Sequence, residues 1–163
     1  MTGLVRISEA ASLALHALGV MARSPQRWTT ERLAEVLRAS THHLAKVMQR
    51  LVKAGLLRSV RGPHGGFELT RPPEEITLAE IYQAIEGPLP SAGCLLGEPI
   101  CRNGAANCML GDLVNMVHRE VHDYLSRTTL QRMAQALDLV TISTSGESIS
   151  QPLDPPCQFT PLS

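Results

Sequence analysis

Residues 29–71 constrain the fold most, because two predicted short helices are followed there at once by a hairpin. Either Thr29 or Thr30 precedes the first run of apolar residues at helical spacing, and Ser40 precedes the second. Such hydroxyl residues commonly cap the first turn of a helix. Gly55 ends the second helix, which we predict over about 41–54. The turn between the two helices is predicted at Ala39 and Ser40. Two short helices joined by a tight turn form the helix-turn-helix arrangement.

A β-hairpin is predicted directly after these helices. In the first predicted strand Leu57, Ser59 and Arg61 alternate with Arg58 and Val60. The sequence GPHGG at 62–66 supplies a turn, and Phe67 and Leu69 lie on the return strand. A hairpin in this position is the wing of a winged helix. Helices are also predicted before and after this unit, over 7–22 and over about 77–86, with Thr77 as the cap of the second.

A long helix is predicted from Met109 to about Leu137, because apolar residues recur there at steps of three and four. The stripe consists of Leu110, Leu113, Val114, Val117, Val121, Tyr124 and Leu125. A helix this long on a small domain needs a partner for its apolar stripe. We expect the equivalent helix of a second subunit, which makes a homodimer. The alternative is packing against the helix of residues 7–22.

The predicted fold class is mainly α with a small β-hairpin wing. Residues 1–87 form the winged helix-turn-helix domain, 88–108 a cysteine-rich loop, 109–140 the dimerisation helix and 141–163 a tail. The tail has five Ser, four Pro and no Lys or Arg, a composition typical of a disordered segment.

The formal net charge is zero, but it is unevenly distributed. Residues 23–71 hold ten Lys and Arg against three acids, whereas residues 72–163 hold four against eleven. A basic lobe indicates a polyanionic partner, although a solvated face gives the same pattern. No segment approaches the roughly 18 apolar residues of a membrane span, and the apolar start lacks the features of a signal peptide. We therefore expect a cytoplasmic protein without membrane contact, whose cysteines serve metal or redox chemistry.

The exposed face of the second helix of the helix-turn-helix suits the major groove of DNA, since short hydrogen-bonding residues lie at its start and cations further along. The wing would offer cations to phosphates or to a narrow minor groove. The predicted DNA-binding residues are Thr29, Ser40, Thr41, His42, His43, Lys46, Arg50, Arg58, Arg61 and His64. The alternative is a helix-turn-helix that serves only as a protein-binding scaffold.

Three equally spaced cysteines, Cys94, Cys101 and Cys108, lie in a loop rich in glycine. Thiolates suit iron–sulfur clusters, and glycines let the backbone approach an inorganic core closely. A structural zinc site usually has cysteines two to four residues apart, which this spacing lacks. A thiol–disulfide switch needs only two of the three cysteines, so it remains an alternative interpretation. The fourth cysteine, Cys157, is expected to be a bystander in the tail.

Residues 7–137 resemble the IscR/NsrR family of bacterial winged-helix regulators. The resemblance is carried by residues 39–87, above all by the hairpin stretch SVRGPHGGFELTRPPEEITL. It implies a symmetric dimer that binds an operator in double-stranded DNA under the control of an iron–sulfur cluster, either 2Fe-2S or 4Fe-4S. The three cysteines lie where that family places its cluster-binding cysteines.

The resemblance also implies a fourth ligand from the first helix, in some members from the partner subunit. Ser12 stands where some members carry an acidic ligand, and a hydroxyl is a poor ligand for iron. His16 lies one turn further on, and imidazole binds iron well. We therefore predict His16 as the non-cysteine ligand, with a partly buried helix histidine as the alternative. Glu9, His118 and His122 are further candidates.

The predicted function is a dimeric transcriptional regulator whose cluster senses redox state, nitric oxide or iron supply. A regulator whose cysteines respond to thiol oxidants or to a ligand without any metal is the alternative. A small iron–sulfur redox protein would leave the winged helix unexplained. The sequence contains no paired nucleophile and base and no phosphate loop, so we expect no enzymatic activity.

Overall fold

The computed structural model describes residues 7–24, 26–62, 65–88 and 109–137. Within these ranges the elements in chain order are α1 (Glu9–Arg23), α2 (Thr30–Leu37), α3 (Thr41–Lys53), β1 (Leu57–Val60), β2 (Gly66–Leu69), a 3₁₀ turn (Pro73–Glu75), α4 (Leu78–Glu86), α5 (Met109–Arg127) and α6 (Leu130–Ala136). The predicted fold class, mainly α with a hairpin wing, is confirmed. The predicted tail and the cysteine loop after Pro88 lie outside the described residues.

A hydroxyl residue begins five of these helices by accepting a hydrogen bond from a backbone N–H of the first turn. The capping residues are Ser8, Thr29, Ser40, Thr77 and Thr129. The caps predicted at Thr29, Ser40 and Thr77 are therefore confirmed. Each cap satisfies an amide that has no partner within its helix, which fixes where the helix starts.

Helix α1 lies at the centre of the molecule and contacts α2, α3, α4 and α6. Leu18 of α1, Leu33 of α2 and Leu44 of α3 are fully buried in one apolar core. Removal of such side chains from water is the main source of stability for a domain of this size. The core thereby holds one face of α3 against the body of the molecule and leaves the other face to solvent.

The turn between α2 and α3 is made by Arg38, which has a φ of 51° and adopts the left-handed conformation. The backbone N–H of Ala39 donates to the carbonyl oxygen of Ala34 at 2.9 Å, which closes the end of α2. The chain then enters α3 at the capping residue Ser40. The sequence placed this turn at Ala39 and Ser40, one residue later than the left-handed position.

The wing is an antiparallel hairpin that runs from the pair Leu57–Leu69 to the pair Val60–Gly66. Trp28 extends the hairpin through an isolated β-bridge to Phe67. The Trp28 N–H donates to the Phe67 carbonyl oxygen at 3.1 Å, and the Trp28 carbonyl oxygen accepts from the Phe67 N–H at 2.8 Å. Gly66 has a φ of +148°, and a Cβ there would lie 2.7 Å from the Trp28 carbonyl oxygen. This close approach requires glycine.

The prediction of one continuous helix from Met109 to about Leu137 is wrong, because α5 ends at Arg127 and α6 begins at Leu130. At the break, the Leu78 N–H donates to the Thr128 carbonyl at 2.9 Å, and the Leu130 N–H donates to the Ile76 carbonyl at 2.8 Å. The backbone of the break is thus paired with the start of α4 instead of continuing the helix. As a result, α6 packs on α1 and α5 packs on α4.

Candidate nucleic-acid interface

The outward face of α3 is polar along its length. The buried residues of this helix are Leu44, Val47, Met48 and Leu51, whereas the exposed ones are Thr41, His42, Lys46, Gln49, Arg50 and Lys53. Lys46 forms no hydrogen bond or ion pair with any residue that the structure describes. The face therefore offers hydrogen-bonding groups at its start and unpaired positive charge further along, as a helix in a DNA groove requires.

Two predicted DNA-binding hydroxyls, those of Thr29 and Ser40, serve as helix caps. Thr29 Oγ1 accepts from the N–H of Arg32 at 3.3 Å, and Ser40 Oγ accepts from the N–H of His43 at 3.4 Å. A hydroxyl that accepts a cap bond keeps its own proton, which it can donate to a phosphate oxygen. The caps also place both hydroxyls at the positive ends of helices, where anions bind favourably.

His43, in the first turn of α3, faces an acidic neighbour on α1. Its Nδ1 atom lies 3.6 Å from Oε1 of Glu9, whose side chain is 80% exposed. A protonated imidazole would form an ion pair with this carboxylate, which also lies close enough to the start of α3 to repel a phosphate. From the sequence, Glu9 was a candidate only for metal binding, and this contact was not predicted because no local pattern pairs α1 with α3.

The two wing arginines that the structure describes differ in their surroundings. Arg58 donates from Nε to Oε1 of Glu68 at 2.7 Å, directly across the hairpin. The other carboxylate oxygen of Glu68 lies 3.9 Å from Nε of Arg27. Arg61 is exposed and has no such partner among the described residues. Arg61 is thus the better placed cation for a phosphate, while His64 of the predicted set lies outside the described residues.

Trp28 joins the wing to the helix-turn-helix. Its ring is 5% exposed, its Nε1 donates to the Ser24 carbonyl at 3.1 Å, and the guanidinium of Arg32 lies 4.8 Å from the ring centroid. Together with the backbone pairing to Phe67, these contacts fix the wing relative to α2. This role of Trp28 was not predicted from the sequence. The available signal was a large aromatic residue directly before a predicted cap, where an apolar side chain often packs back onto its helix.

Arg50, another predicted DNA-binding residue, is directed toward α4. Its Nη2 donates to the backbone carbonyl oxygen of Ile85, near the carboxyl end of that helix. A guanidinium has five N–H donors, so this bond alone does not exhaust its capacity. A direct role of Arg50 in DNA binding stays a prediction.

The three cysteines predicted as metal ligands lie outside the described residues, but the predicted fourth ligand does not. His16 is exposed on α1, and its Nδ1 is 2.8 Å from the carbonyl oxygen of Ser12. Because a carbonyl oxygen only accepts, Nδ1 must carry the proton in this bond. When the ring is neutral, this tautomer leaves the lone pair on Nε2, and a neutral imidazole nitrogen is the form of histidine that binds metals. The chemistry of His16 therefore fits an iron ligand.

The other candidate ligands in the described part of the chain have different surroundings. His122 has its Nδ1 3.6 Å from Oδ1 of Asp123. His118 has a buried Nδ1 with no hydrogen-bond partner among the described residues. In the same residues, no three His, Cys, Asp or Glu side chains lie close enough together to hold a metal ion.

Helix α5 carries two apolar faces rather than one. Val114 and Leu125 are buried, and Val121 packs against the core. A second set of large apolar side chains is exposed, namely Leu110 at 54%, Leu113 at 41%, Met116 at 51% and Tyr124 at 61%. The two interpretations of the stripe were a second subunit or packing within the chain. Packing within the chain accounts for only part of it, and the inner part packs on α4.

Comparison with known proteins identifies this arrangement. Residues 7–136 match the Rrf2 family, described as iron-dependent transcriptional regulators. The chain is 32% identical over 121 residues to YwgB of Bacillus subtilis, named as an HTH-type transcriptional regulator, with 70% of this chain and 76% of YwgB covered. It is 33% identical over 81 residues to the HTH-type transcriptional regulator NsrR of Shouchella clausii, with 45% and 54% covered.

Among solved structures, CymR, described as the global cysteine regulator of B. subtilis, matches with a TM-score of 0.68 at 26% identity. The match covers 82% of this chain and 99% of CymR.

The fold and the basic outward helix define a winged-helix transcriptional regulator. The chain belongs to the Rrf2 family of such regulators, which confirms the resemblance seen in the sequence. Its relatives are regulators and not enzymes, in agreement with the sequence prediction. No helix in the described ranges has the length and apolar character needed to cross a membrane.

Proposed function

We propose that this protein is a homodimeric, cytoplasmic transcriptional regulator that binds an operator in double-stranded DNA, and that an iron–sulfur cluster controls its affinity. The observation that carries the DNA-binding role is the polar, basic outward face of α3 next to the exposed Arg61 of the wing. Membership of a transcriptional-regulator family supports the same role.

In this proposal α3 is the recognition helix and lies in the major groove. Thr41, His42 and His43, at its start, contact base edges, and Lys46 neutralises a phosphate. The supporting contacts to the DNA backbone come from Thr29, Ser40, Arg58, Arg61 and His64. Among these, Arg58 contributes less because Glu68 already neutralises it.

The proposed dimer forms through the exposed apolar side chains of α5. Leu113, Val117 and Tyr124 follow one another at steps of four and seven along the helix, so they share one face. Large apolar side chains that remain exposed together mark an interaction surface. A two-fold axis at this face would bring two recognition helices to two half-sites of one operator.

Cys94, Cys101 and Cys108 would hold the cluster, which is of the 2Fe-2S or 4Fe-4S type, and His16 would be its non-cysteine ligand. Three thiolates are soft ligands that suit iron, and the hydrogen bond from His16 to Ser12 leaves Nε2 available. When bound, the cluster supplies an iron centre that responds to redox state, nitric oxide or iron supply. The residues of the chain would supply the ligands of the cluster and control how far solvent reaches it.

The coupling to DNA follows from where the cysteines lie in the chain. They stand between α4, which packs on α3, and α5, which carries the proposed dimer face. A change in this segment therefore alters how the two recognition helices are held relative to each other. We expect operator affinity to differ by about 5- to 150-fold between the two forms, the range typical of coupled sites.

A second candidate is a family member that senses its signal without a cluster. It is favoured by the likeness to CymR, described as a global cysteine regulator. In that case two of the three cysteines would respond to thiol oxidants, or the protein would bind a small ligand.

A visible absorption spectrum of the full chain, purified without air, separates the two candidates. Iron–sulfur absorption is expected in the wild type, lost in Cys101→Ala, and weaker or shifted in His16→Ala. Cys157→Ala is the control and should leave the spectrum unchanged. A colourless wild type that still binds DNA would favour the cluster-free regulator.

The switch itself is tested by titration of one operator with cluster-loaded protein, cluster-free protein and Cys101→Ala at fixed salt. Distinct affinities of the loaded and cluster-free forms are expected, with Cys101→Ala like the latter. Equal affinities for all three would leave a DNA-binding protein that holds a cluster for another purpose.

A further inference from the structure

The carboxyl end of α4 is capped by a side chain from the recognition helix. The last carbonyls of any helix lack partners within it, and Ile85 lies in the last turn of α4. Arg50 of α3 donates to the Ile85 carbonyl oxygen from Nη2. A cation at this end of a helix is also favoured by the helix dipole. The contact therefore satisfies a partly buried carbonyl and fixes α3 against α4.

The start of α1 makes side-chain contacts with both of these helices. The Ser8 hydroxyl, which caps α1, donates to the carboxylate of Glu86, the last residue of α4. The next residue, Glu9, lies 3.6 Å from His43 in the first turn of α3. Side-chain contacts thus join α1 to α4, α4 to α3 and α3 to α1.

We propose that Arg50 is a positioning residue for DNA recognition: it sets the position of α3 against α4 by capping α4, and does not neutralise a phosphate. This inference rests on the proposed DNA-binding function and reassigns one residue of the predicted interface. A guanidinium bound to α4 is held to the protein body, whereas Lys46, one turn earlier on α3, is exposed and has no partner among the described residues.

The two roles of a cation on α3 predict different salt dependence. Affinity falls as salt rises, and loss of a phosphate contact makes this dependence shallower. The magnitude of the slope of log affinity against log salt decreases by about 0.9 for each contact, or roughly 1.8 for a symmetric dimer, on any DNA sequence. Loss of a positioning residue leaves this slope unchanged. It lowers affinity for the operator more than for random DNA, because the base contacts depend on how α3 lies in the groove.

The test compares Arg50→Met with Lys46→Met in the full chain. Methionine keeps an unbranched apolar side chain and removes the charge and the donors in both variants. Each is titrated between about 50 and 200 mM salt, on an operator selected from random DNA and on a random duplex. We expect Lys46→Met to lower the slope on both duplexes. Arg50→Met should keep the wild-type slope and lose about 3- to 30-fold in operator affinity alone.

Amide hydrogen exchange at the end of α4 supplies a readout that does not involve DNA. The Gly87 N–H donates to the Gln83 carbonyl at 2.9 Å and closes the last turn of α4. Arg50→Met should accelerate exchange at this amide, because the cap is lost, whereas Lys46→Met should not. If Arg50→Met does not fold, Arg50→Gln, which removes the charge but retains an N–H donor, replaces it in the salt titration, where the positioning role again predicts an unchanged slope.

A lowered slope on both duplexes for the Arg50 variant, with unchanged exchange at Gly87, would overturn the positioning role and make Arg50 a phosphate ligand. That result leaves the proposed function intact. A wild type that selects no operator from random DNA would instead overturn the proposed function, and the positioning role with it.

Discussion

Helices α3 and α5 bury similar faces but present different ones to solvent. Each packs a stripe of aliphatic side chains inward, exemplified by Leu44 in α3 and Val114 in α5. Outward, α3 exposes polar and basic side chains such as Lys46, whereas α5 exposes Leu113 and Tyr124. The inner stripes hold both helices to the same body, so the outer faces distinguish their partners.

The exposed faces indicate which kind of partner each helix binds. A polar face with unpaired cations gains from a polyanion, because counterions are released when phosphates are neutralised. An apolar face gains from removal from water, which requires another apolar surface. A charge placed on the apolar face of α5 should therefore impair dimerisation. Removal of a cation from the basic DNA-binding surface should impair DNA binding and leave the dimer intact.

Leu113→Glu should have the largest effect. A glutamate in the proposed dimer face would be buried without a partner, which costs several kcal/mol. We expect monomers in analytical ultracentrifugation and a loss of operator affinity of about 10²- to 10³-fold, because two linked half-site contacts become independent.

Asn115→Glu is the matched control for this variant. It adds the same charge two residues further along, about 200° around the helix and away from the exposed apolar side chains. This variant should remain a dimer and keep its operator affinity. A wild type that sediments as a monomer would contradict the proposal that the exposed apolar side chains of α5 form a dimer interface.

Substitutions of the two wing arginines test the basic DNA-binding surface, and their expected effects on operator affinity are smaller. Arg61→Met should weaken binding to all DNA sequences and lower the salt slope by about 0.9 per subunit. Arg58→Met should lower it by less than half as much, since Glu68 already neutralises Arg58 at 2.7 Å. Fluorescence anisotropy over a salt series measures both. Equal slopes for the two variants would contradict the assignment of Arg61 as the phosphate ligand of the wing.

Features set by neighbouring residues were predictable from the sequence. The caps at Thr29, Ser40 and Thr77 and the hairpin that ends at Leu69 depend on residues within a few positions. Their hydrogen bonds close locally, so a short pattern is sufficient to specify them.

Features set by distant residues were not predictable. The periodicity of residues 109–137 continues across Thr128 and Thr129, and the helix is broken there by backbone pairing with the start of α4, with Thr129 as the cap of α6. The bond from Arg50 to Ile85 spans 35 positions in the chain, and no local pattern records it. The sequence correctly indicated a polar face on α3, but it could not assign each cation on that face a separate role.

Glu80→Gln should have the smallest effect. Because Glu80 lies on neither the outward face of α3 nor that of α5, this variant should change stability without changing DNA binding or dimerisation. Burial raises the pKa of Glu80, but hydrogen bonds from the Thr77 N–H at 2.8 Å and from Arg71 at 2.7 Å outweigh it, so the pKa is lowered below the ordinary value of 4.5. A lowered pKa in the folded state stabilises the fold above the unfolded value. This contribution is lost as the pH falls through the folded-state pKa.

We therefore expect Glu80→Gln to lower the Tm by about 2 °C at neutral pH, and the difference from wild type to shrink below pH 4.5. Thermal melts by circular dichroism over a pH series measure this, with the exposed Glu74→Gln as the control that shows no such difference. Sedimentation and the salt slope of DNA binding should be unchanged, because Glu80 supports the start of α4 and lies on neither partner surface. A Tm difference that stays constant from neutral to acidic pH would mean that the charge of Glu80 does not stabilise α4.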